Sequence, residues 1–238
     1  MNTTPFPPEL TLYYSPKACS LAPHIVLEES GLRYSARSVN IRAGEHRGAD
    51  YLLLNPSGTV PSLAIGEQIL TESQALLTYL ADLVPERELL PRPGTLARAR
   101  AHEWMNFISS SLHPAYRAVF RPQSYGGDSP EAVESVRVRG QERLLHALKT
   151  VEQRLSGNIY ALGNAFSAVD AYLFVFYLWS FDERLGCEMP ERSRYRALAH
   201  LVWQRNSVRK VVARERGVRP YELPIEFTGA DASTTEVA

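Results

Sequence analysis

The segment Leu10-Thr-Leu-Tyr-Tyr14-Ser-Pro-Lys-Ala-Cys19-Ser-Leu-Ala-Pro-His24-Ile-Val-Leu-Glu-Glu-Ser30-Gly31 decides the reading of the fold. Leu10–Tyr14 is rich in β-branched and aromatic residues and alternates, which predicts a strand. Ser15-Pro-Lys-Ala18 is a tight loop. The run from Cys19 to Ser30 predicts a helix that Gly31 stops at its C′ position. Pro23 lies near its first turn, where a missing N–H costs little. A strand feeding a helix through a short loop is the start of an α/β unit.

Outward from there the pattern continues. Arg33–Ile41 predicts a second strand and Arg47–Leu54 a short helix. Asn55-Pro-Ser-Gly-Thr-Val60-Pro61 is a loop, followed by two short strands that turn at Gly66-Glu67, a pair suited to a hairpin. Thr71-Glu72-Ser73 then caps a helix over Gln74–Val84. After Pro91-Arg-Pro-Gly94 no strand pattern recurs. Leu96–Phe120 is a helical run that Pro114 should kink, and Ser129-Pro-Glu opens a helix reaching about Leu155. Ser167-Ala-Val-Asp170 has the spacing of a capping box, and the Ala171–Trp179 run behind it is apolar all round, as in the central helix of a bundle. Two more helices fill Tyr195–Arg214. The expected organisation is an extension over 1–9, an α/β domain over 10–86, a linker over 87–94, a helical domain over 95–222 and a tail over 223–238.

Composition bounds the function. The 238 residues carry 26 Lys+Arg and 26 Asp+Glu, and this balance argues against nucleic acid or an anionic membrane as partner. No stretch has the roughly 18 uncharged apolar residues of a membrane span. The start has neither the basic nor the apolar region of a signal, so a cytoplasmic, reducing setting is expected. Cys19 and Cys187 then stand alone as thiols. A C-x-x-C motif from Cys19 would need its partner at Ala22, which excludes a two-cysteine redox site. The histidines show no ligand spacing, and no metal is expected. The basic run from Arg205 to Arg219 carries Val208, Val211 and Val212 on one face, which marks a surface helix rather than a nucleic-acid element.

Three local features share one chemistry. Cys19 stands at a strand–helix junction, where free N–H groups and the positive helix end favour a thiolate. Val60, if its bond to Pro61 is cis, offers its N–H and C=O to an extended peptide. Glu72 and Ser73 open a helix with a carboxylate for an ammonium and a hydroxyl plus N–H groups for a carboxylate. The ligand these groups suit is a small zwitterionic peptide.

Tyr13-Tyr14-Ser-Pro-Lys-Ala-Cys19-Ser20-Leu-Ala-Pro-His24, Asn55-Pro-Ser-Gly-Thr-Val60-Pro61, Leu70-Thr-Glu72-Ser73, Glu103-Trp-Met-Asn106-Phe-Ile-Ser-Ser-Ser-Leu-His113 and Phe166-Ser167-Ala-Val-Asp170 together resemble the glutathione transferases, closely the bacterial beta class. The resemblance runs from about Leu10 to Gly217. It implies a thioredoxin-like domain joined to an all-helical one, a homodimer, and glutathione as cosubstrate for conjugation to electrophilic, hydrophobic small molecules in detoxification. It places Cys19 beside the glutathione sulfur, able to form a mixed disulfide, with Tyr14, Ser20 and His113 as the side-chain donors available to that sulfur. Val60 and Pro61 then meet the cysteinyl backbone, and Glu72 with Ser73 the γ-glutamyl end. Asn106 and His113, seven residues apart on one helix face, reach the sulfur region, and Trp179 borders the cleft. Ser167 and Asp170 are left to structure. The chain departs from the family where a Lys usually meets the glycine carboxylate. Gly44 fills that position, leaving Arg42 or Arg47 to serve. Pro114 replaces a basic residue, and Lys17 stands where the loop usually has Gly. Two other functions fit the same residues: a monothiol disulfide reductase working through Cys19, and a non-catalytic ligand-binding protein.

Overall fold

The computed structural model describes residues 9–228. Strand β1 (Leu10–Tyr14) pairs in parallel with β2 (Ser35–Ser38) and antiparallel with β3 (Ser62–Ile65). The hairpin strand β4 (Gln68–Thr71) closes a four-stranded sheet of order β2-β1-β3-β4. Helix α1 (Leu21–Ser30) crosses between β1 and β2, α2 (Ala49–Leu54) precedes β3, and α3 (Ser73–Leu83) follows β4. This is the thioredoxin-like arrangement that the resemblance implies. The second strand is shorter than the pattern suggested: it pairs with β1 over Ser35–Ser38 and ends where Val39 N–H donates to Tyr14 C=O at 2.7 Å. Gly31 ends α1 in the left-handed conformation, which glycine adopts without a Cβ penalty.

Helix α1 is buried along one side by the sheet and along the other by the second domain, so every residue from Leu21 to Leu27 is buried. The second domain comprises α4 (Leu96–Phe107), α5 (His113–Phe120), the single turn α6 (Gln123–Gly126), α7 (Pro130–Arg154), α8 (Ala168–Trp179), α9 (Ser193–Trp203) and α10 (Asn206–Val218). Its centre is α8, buried from Ala168 through Leu178. A single hydrophobic core runs through both domains. Polar ties cross the same boundary: Arg98 forks onto Asp82 at 3.0 and 2.8 Å and Arg205 onto Glu29 at 2.6 and 2.7 Å. Ala168 N–H donates to Leu89 C=O at 2.8 Å.

Pro114 has the effect its chemistry demands, over a longer stretch than a simple kink. Lacking an N–H, it cannot complete the ladder, and Ile108–Leu112 adopts the wider π turn between α4 and α5. Helix α5 then packs closely on α7 at Gly140, where an added Cβ would lie 2.8 Å from the Ala118 Cβ. The tail expected from residue 223 begins differently. Ile225–Thr228 forms a helical turn, α11, that buries Phe227 against Phe174, Trp203 and His200. One large aromatic residue is enough to dock a segment that has no periodic pattern of its own. The rest of the tail, and the extension through residue 8, lie outside the described residues.

The capping box forms as the spacing suggested. Buried Asp170 accepts from Ser167 N–H and Oγ, both at 2.7 Å, and from Ala161 N–H at 2.7 Å. Removing the carboxylate orphans two buried N–H groups, each costing about 1–3 kcal/mol. Asp170→Ala is therefore expected to lower unfolding free energy by about 3 kcal/mol, read as a fall in urea midpoint at unchanged slope.

Candidate functional site

The N-terminal ends of α1 and α3 and the loop before β3 meet the helical domain across one cleft. Its volume is about 1620 Å³, larger than the 300–1,000 Å³ or so typical of single small-ligand pockets. Cys19, Arg42, Val60, Pro61, Glu72, Ser73, His113 and Trp179 all line it, so local motifs 160 residues apart converge as the sequence suggested. The Val60–Pro61 bond is cis. The loop leading to it is pinned by Asn55, whose Nδ2 donates to Thr59 C=O and Ser62 Oγ at 2.9 and 3.1 Å, and by the Tyr51 hydroxyl on Thr59 C=O at 2.6 Å. Helix α3 starts one residue earlier than expected, at Ser73, with Glu72 at φ 71° and no side-chain cap. Left-handed backbone at a glutamate is rarely adopted without a local reason. Here its carboxylate is near enough to the Cys19 sulfur to disfavour the thiolate.

Three expected site residues do not line the cleft. Tyr14 lies on the buried side of β1 with Leu10 and Leu12, its ring 4.8 Å from His24. Strand alternation fixes that two faces exist but not which one meets the ligand. Ser20 Oγ accepts from Ser15 N–H at 3.1 Å and donates to Ser15 C=O at 3.2 Å, closing the loop between them. Only the Ser20 backbone N–H reaches the Cys19 sulfur. Asn106 is exposed outside the cleft. The seven-residue spacing assumed an unbroken α-helix, and in the π turn each residue advances by less than the usual 100° or so, rotating His113 off the face of Asn106.

The reactive loop is held chiefly by the other domain. Lys17, at φ 63°, donates its N–H to Glu215 Oε2 at 3.1 Å, and its C=O accepts from Trp179 Nε1 at 2.8 Å. Arg219 donates to the Pro16 carbonyl. Glu215 is wholly buried and takes its other oxygen to His24 Nδ1 at 2.9 Å. The other ring nitrogen of His24, Nε2, has no protein partner among the described residues. Burial pushes the Glu215 carboxyl above its usual range, opposed by the hydrogen bonds from His24 and Lys17.

Cys19 itself differs from the sequence expectation. Burial raises its thiol to about 11 and outweighs the lowering by the Ser73 hydroxyl and by the N–H groups of Cys19 and Ser20. Its Sγ–H donates to Val60 C=O at 3.4 Å. His113 is likewise neutral near pH 7, pushed down to about 4 by burial and by the Arg117 guanidinium. Its ring packs against Trp179 and Phe176.

Sequence reasoning missed Tyr172 and the segment after α10. Tyr172 sits in the apolar run of α8, yet it lines the cleft, with its hydroxyl toward Ser73 and near enough to Cys19 to feel a charge there. Arg219-Pro-Tyr-Glu-Leu-Pro224 forms a cleft wall beyond the last periodic helix. Among the described residues no three His, Cys, Asp or Glu side chains group as metal ligands, and no helix is long and apolar enough to cross a membrane.

Residues 18–83 match the family model for the glutathione S-transferase N-terminal domain, and residues 107–204 that for its C-terminal domain. The chain is 38% identical over 181 residues to glutathione S-transferase GstA of Escherichia coli O157:H7, covering 75% of this chain and 86% of the relative. A solved glutathione transferase homologue from Sulfitobacter with bound glutathione superposes with a TM-score of 0.79 at 30% identity, over 87% of this chain and 98% of that one. The beta class glutathione S-transferase of Sphingomonas chungbukensis gives 0.74 at 34% identity, over 86% and 98%.

Two outcomes follow from this geometry. In a Cys187→Ser background, alkylation of Cys19 by iodoacetamide, followed by intact mass, is expected to be slow at pH 7 and to climb about tenfold per pH unit toward 10, without the plateau of an activated thiol. Glu215→Ala strands His24 Nδ1 and Lys17 N–H, so stability is expected to fall by about 3 kcal/mol. The same variant should raise the Cys19 alkylation rate at pH 7 as the loop loosens.

Proposed function

This chain belongs to the glutathione S-transferase family, and from that premise we propose how its own residues run the conjugation of glutathione to an electrophile. The observation that carries the reading is the convergence of Val60, Glu72, Ser73 and Cys19 on one cleft whose opposite wall is the helical domain. Glutathione lies extended, its cysteinyl unit paired with the Val60 N–H and C=O as an added strand would be. Glu72 takes the γ-glutamyl ammonium. Ser73, with the N–H groups opening α3, takes the adjoining carboxylate. Arg42, which lines the cleft without a carboxylate partner among the described residues, takes the glycine carboxylate.

Pairing of the peptide N–H with Val60 C=O displaces the Cys19 Sγ–H that this carbonyl holds in the free protein. The freed S–H, the Ser20 N–H and neutral His113 can then turn toward the glutathione sulfur. Hydrogen bonds to the anionic form favour it. An unperturbed thiol near 8.5 is only a few per cent ionised at neutral pH, so a lowering of one to two units raises the reactive fraction roughly tenfold or more. The thiol proton passes to solvent, the sulfur forms a bond to the electrophilic carbon, and the leaving group departs with the bonding electron pair. Cys19 acts in this scheme as a protonated donor rather than as the nucleophile. The same proposal makes the protein a cytoplasmic homodimer serving detoxification.

Calorimetric titration of glutathione and turnover of 1-chloro-2,4-dinitrobenzene test this together. Cys19→Ser keeps a donor at the position, and is expected to retain conjugation within about threefold while losing the glutathione mixed disulfide detected by intact mass. Loss of conjugation with retained disulfide exchange by the unaltered protein would favour the monothiol reductase. Tight binding without conjugate above background would favour the ligand-binding protein.

A further inference from the structure

The helical wall of the cleft carries charge that glutathione does not need. Helix α5 presents His113, Arg117 and Phe120 at helical spacing, and Arg121 follows directly. Neither Arg117 nor Arg121 has a carboxylate partner among the described residues. Arg117 lies over the Tyr125 ring at 5.9 Å, and the positive charge of Arg121 is felt at His46 across the cleft mouth. Arg184 is neutralised by a two-point bond to Asp182 at 2.7 and 2.8 Å, and its guanidinium stacks on Phe120 at 4.4 Å. Phe120 and Trp179, with centroids 5.7 Å apart and planes inclined at 62°, meet edge to face and give the same wall an apolar corner. Glu183 is the one lining carboxylate of this wall's α8–α9 side left without a partner among the described residues.

Two free guanidinium groups beside aromatic plates form a site for a planar molecule bearing a carboxylate. Guanidinium matches carboxylate geometry with paired donors, and the rings supply area without charge preference. The glutathione carboxylates are met by the α/β domain, so these arginines remain for the second substrate. We propose that the acceptor subsite selects aromatic electrophiles that carry a carboxylate, held by Arg117 and Arg121 against the corner formed by the Phe120 and Trp179 rings. The inference rests on the conjugation reading for calling the occupant a substrate, and sharpens the expected hydrophobic electrophile into an anionic one.

A pair of unreactive probes tests the subsite apart from the chemistry. With the full chain saturated by glutathione, 3,5-dinitrobenzoate is titrated calorimetrically against neutral 3,5-dinitrobenzamide. The benzoate is expected to bind about tenfold more tightly, a lead that shrinks as salt rises through the range that screens exposed charges. Arg117→Gln with Arg121→Gln should reduce the ratio to near one, whereas Arg143→Gln, on an exposed face of α7, leaves it in place. If the double variant fails to fold, Arg121→Gln alone, at the exposed end of α5, and the salt dependence decide the matter. Equal affinities in the unaltered protein, or a preference that survives loss of the arginines, overturn the proposal. A preference lost with the arginines in a protein that conjugates nothing overturns the transferase reading and leaves the subsite standing.

Discussion

The peptide unit of Lys17 is gripped from both sides by the helical domain, its N–H by Glu215 and its C=O by Trp179. Most of what the site can do depends on this grip. Lys17 occupies left-handed backbone, which a residue with a Cβ adopts at a cost of about 1 kcal/mol or more. Two partly buried hydrogen bonds, each worth about 0.5–1.5 kcal/mol, are enough to offset that cost. The loop is thereby fixed two residues before Cys19. Helix α1 is in turn fixed at His24 by the other oxygen of the same carboxylate. A single buried glutamate therefore sets the loop and the helix whose junction presents the sulfur.

At that junction two familiar effects oppose each other. A helix N-terminus stabilises an anion by about 0.3–1 kcal/mol, and somewhat more when partly buried. Removing a thiolate from most of its water costs more than this, and the balance at Cys19, 9% exposed at the cleft, goes to burial. The sulfur is therefore a donor in the resting protein, with Val60 C=O as its acceptor. In the proposed scheme, binding of a peptide to that carbonyl and redirection of the thiol are linked through one oxygen atom.

The local parts of the fold were legible because their signals are local. Strand alternation located β1, Gly31 marked the end of α1, and Ser167 with Asp170 announced α8 through a spacing of three. The convergence of Val60, Glu72, Ser73 and Cys19 followed from motif order, which places each at the end of a sheet or helix element. What escaped the reading depends on tertiary packing or on a change of helical pitch. Alternation gives β1 two faces without saying what covers each, and the face with Tyr14 packs inward against His24 of α1. The π turn before Pro114 separated Asn106 from His113, and periodicity assumes constant pitch. Tyr172 looked like one more aromatic in a buried helix, because composition is blind to the direction of a hydroxyl. The wall from Arg219 to Pro224 has no periodicity to detect.

The grip on Lys17 joins positions 198 residues apart in the chain. During synthesis the α/β half is complete long before Glu215 emerges, and domains generally fold as units from the N-terminus. A nascent chain thus passes through a stage in which every residue of the thioredoxin-like half exists while the loop before Cys19 lacks its anchors. The grip on the Lys17 N–H is therefore a late acquisition, made only when α10 docks. Of all the chain, the cleft is among the last parts to mature.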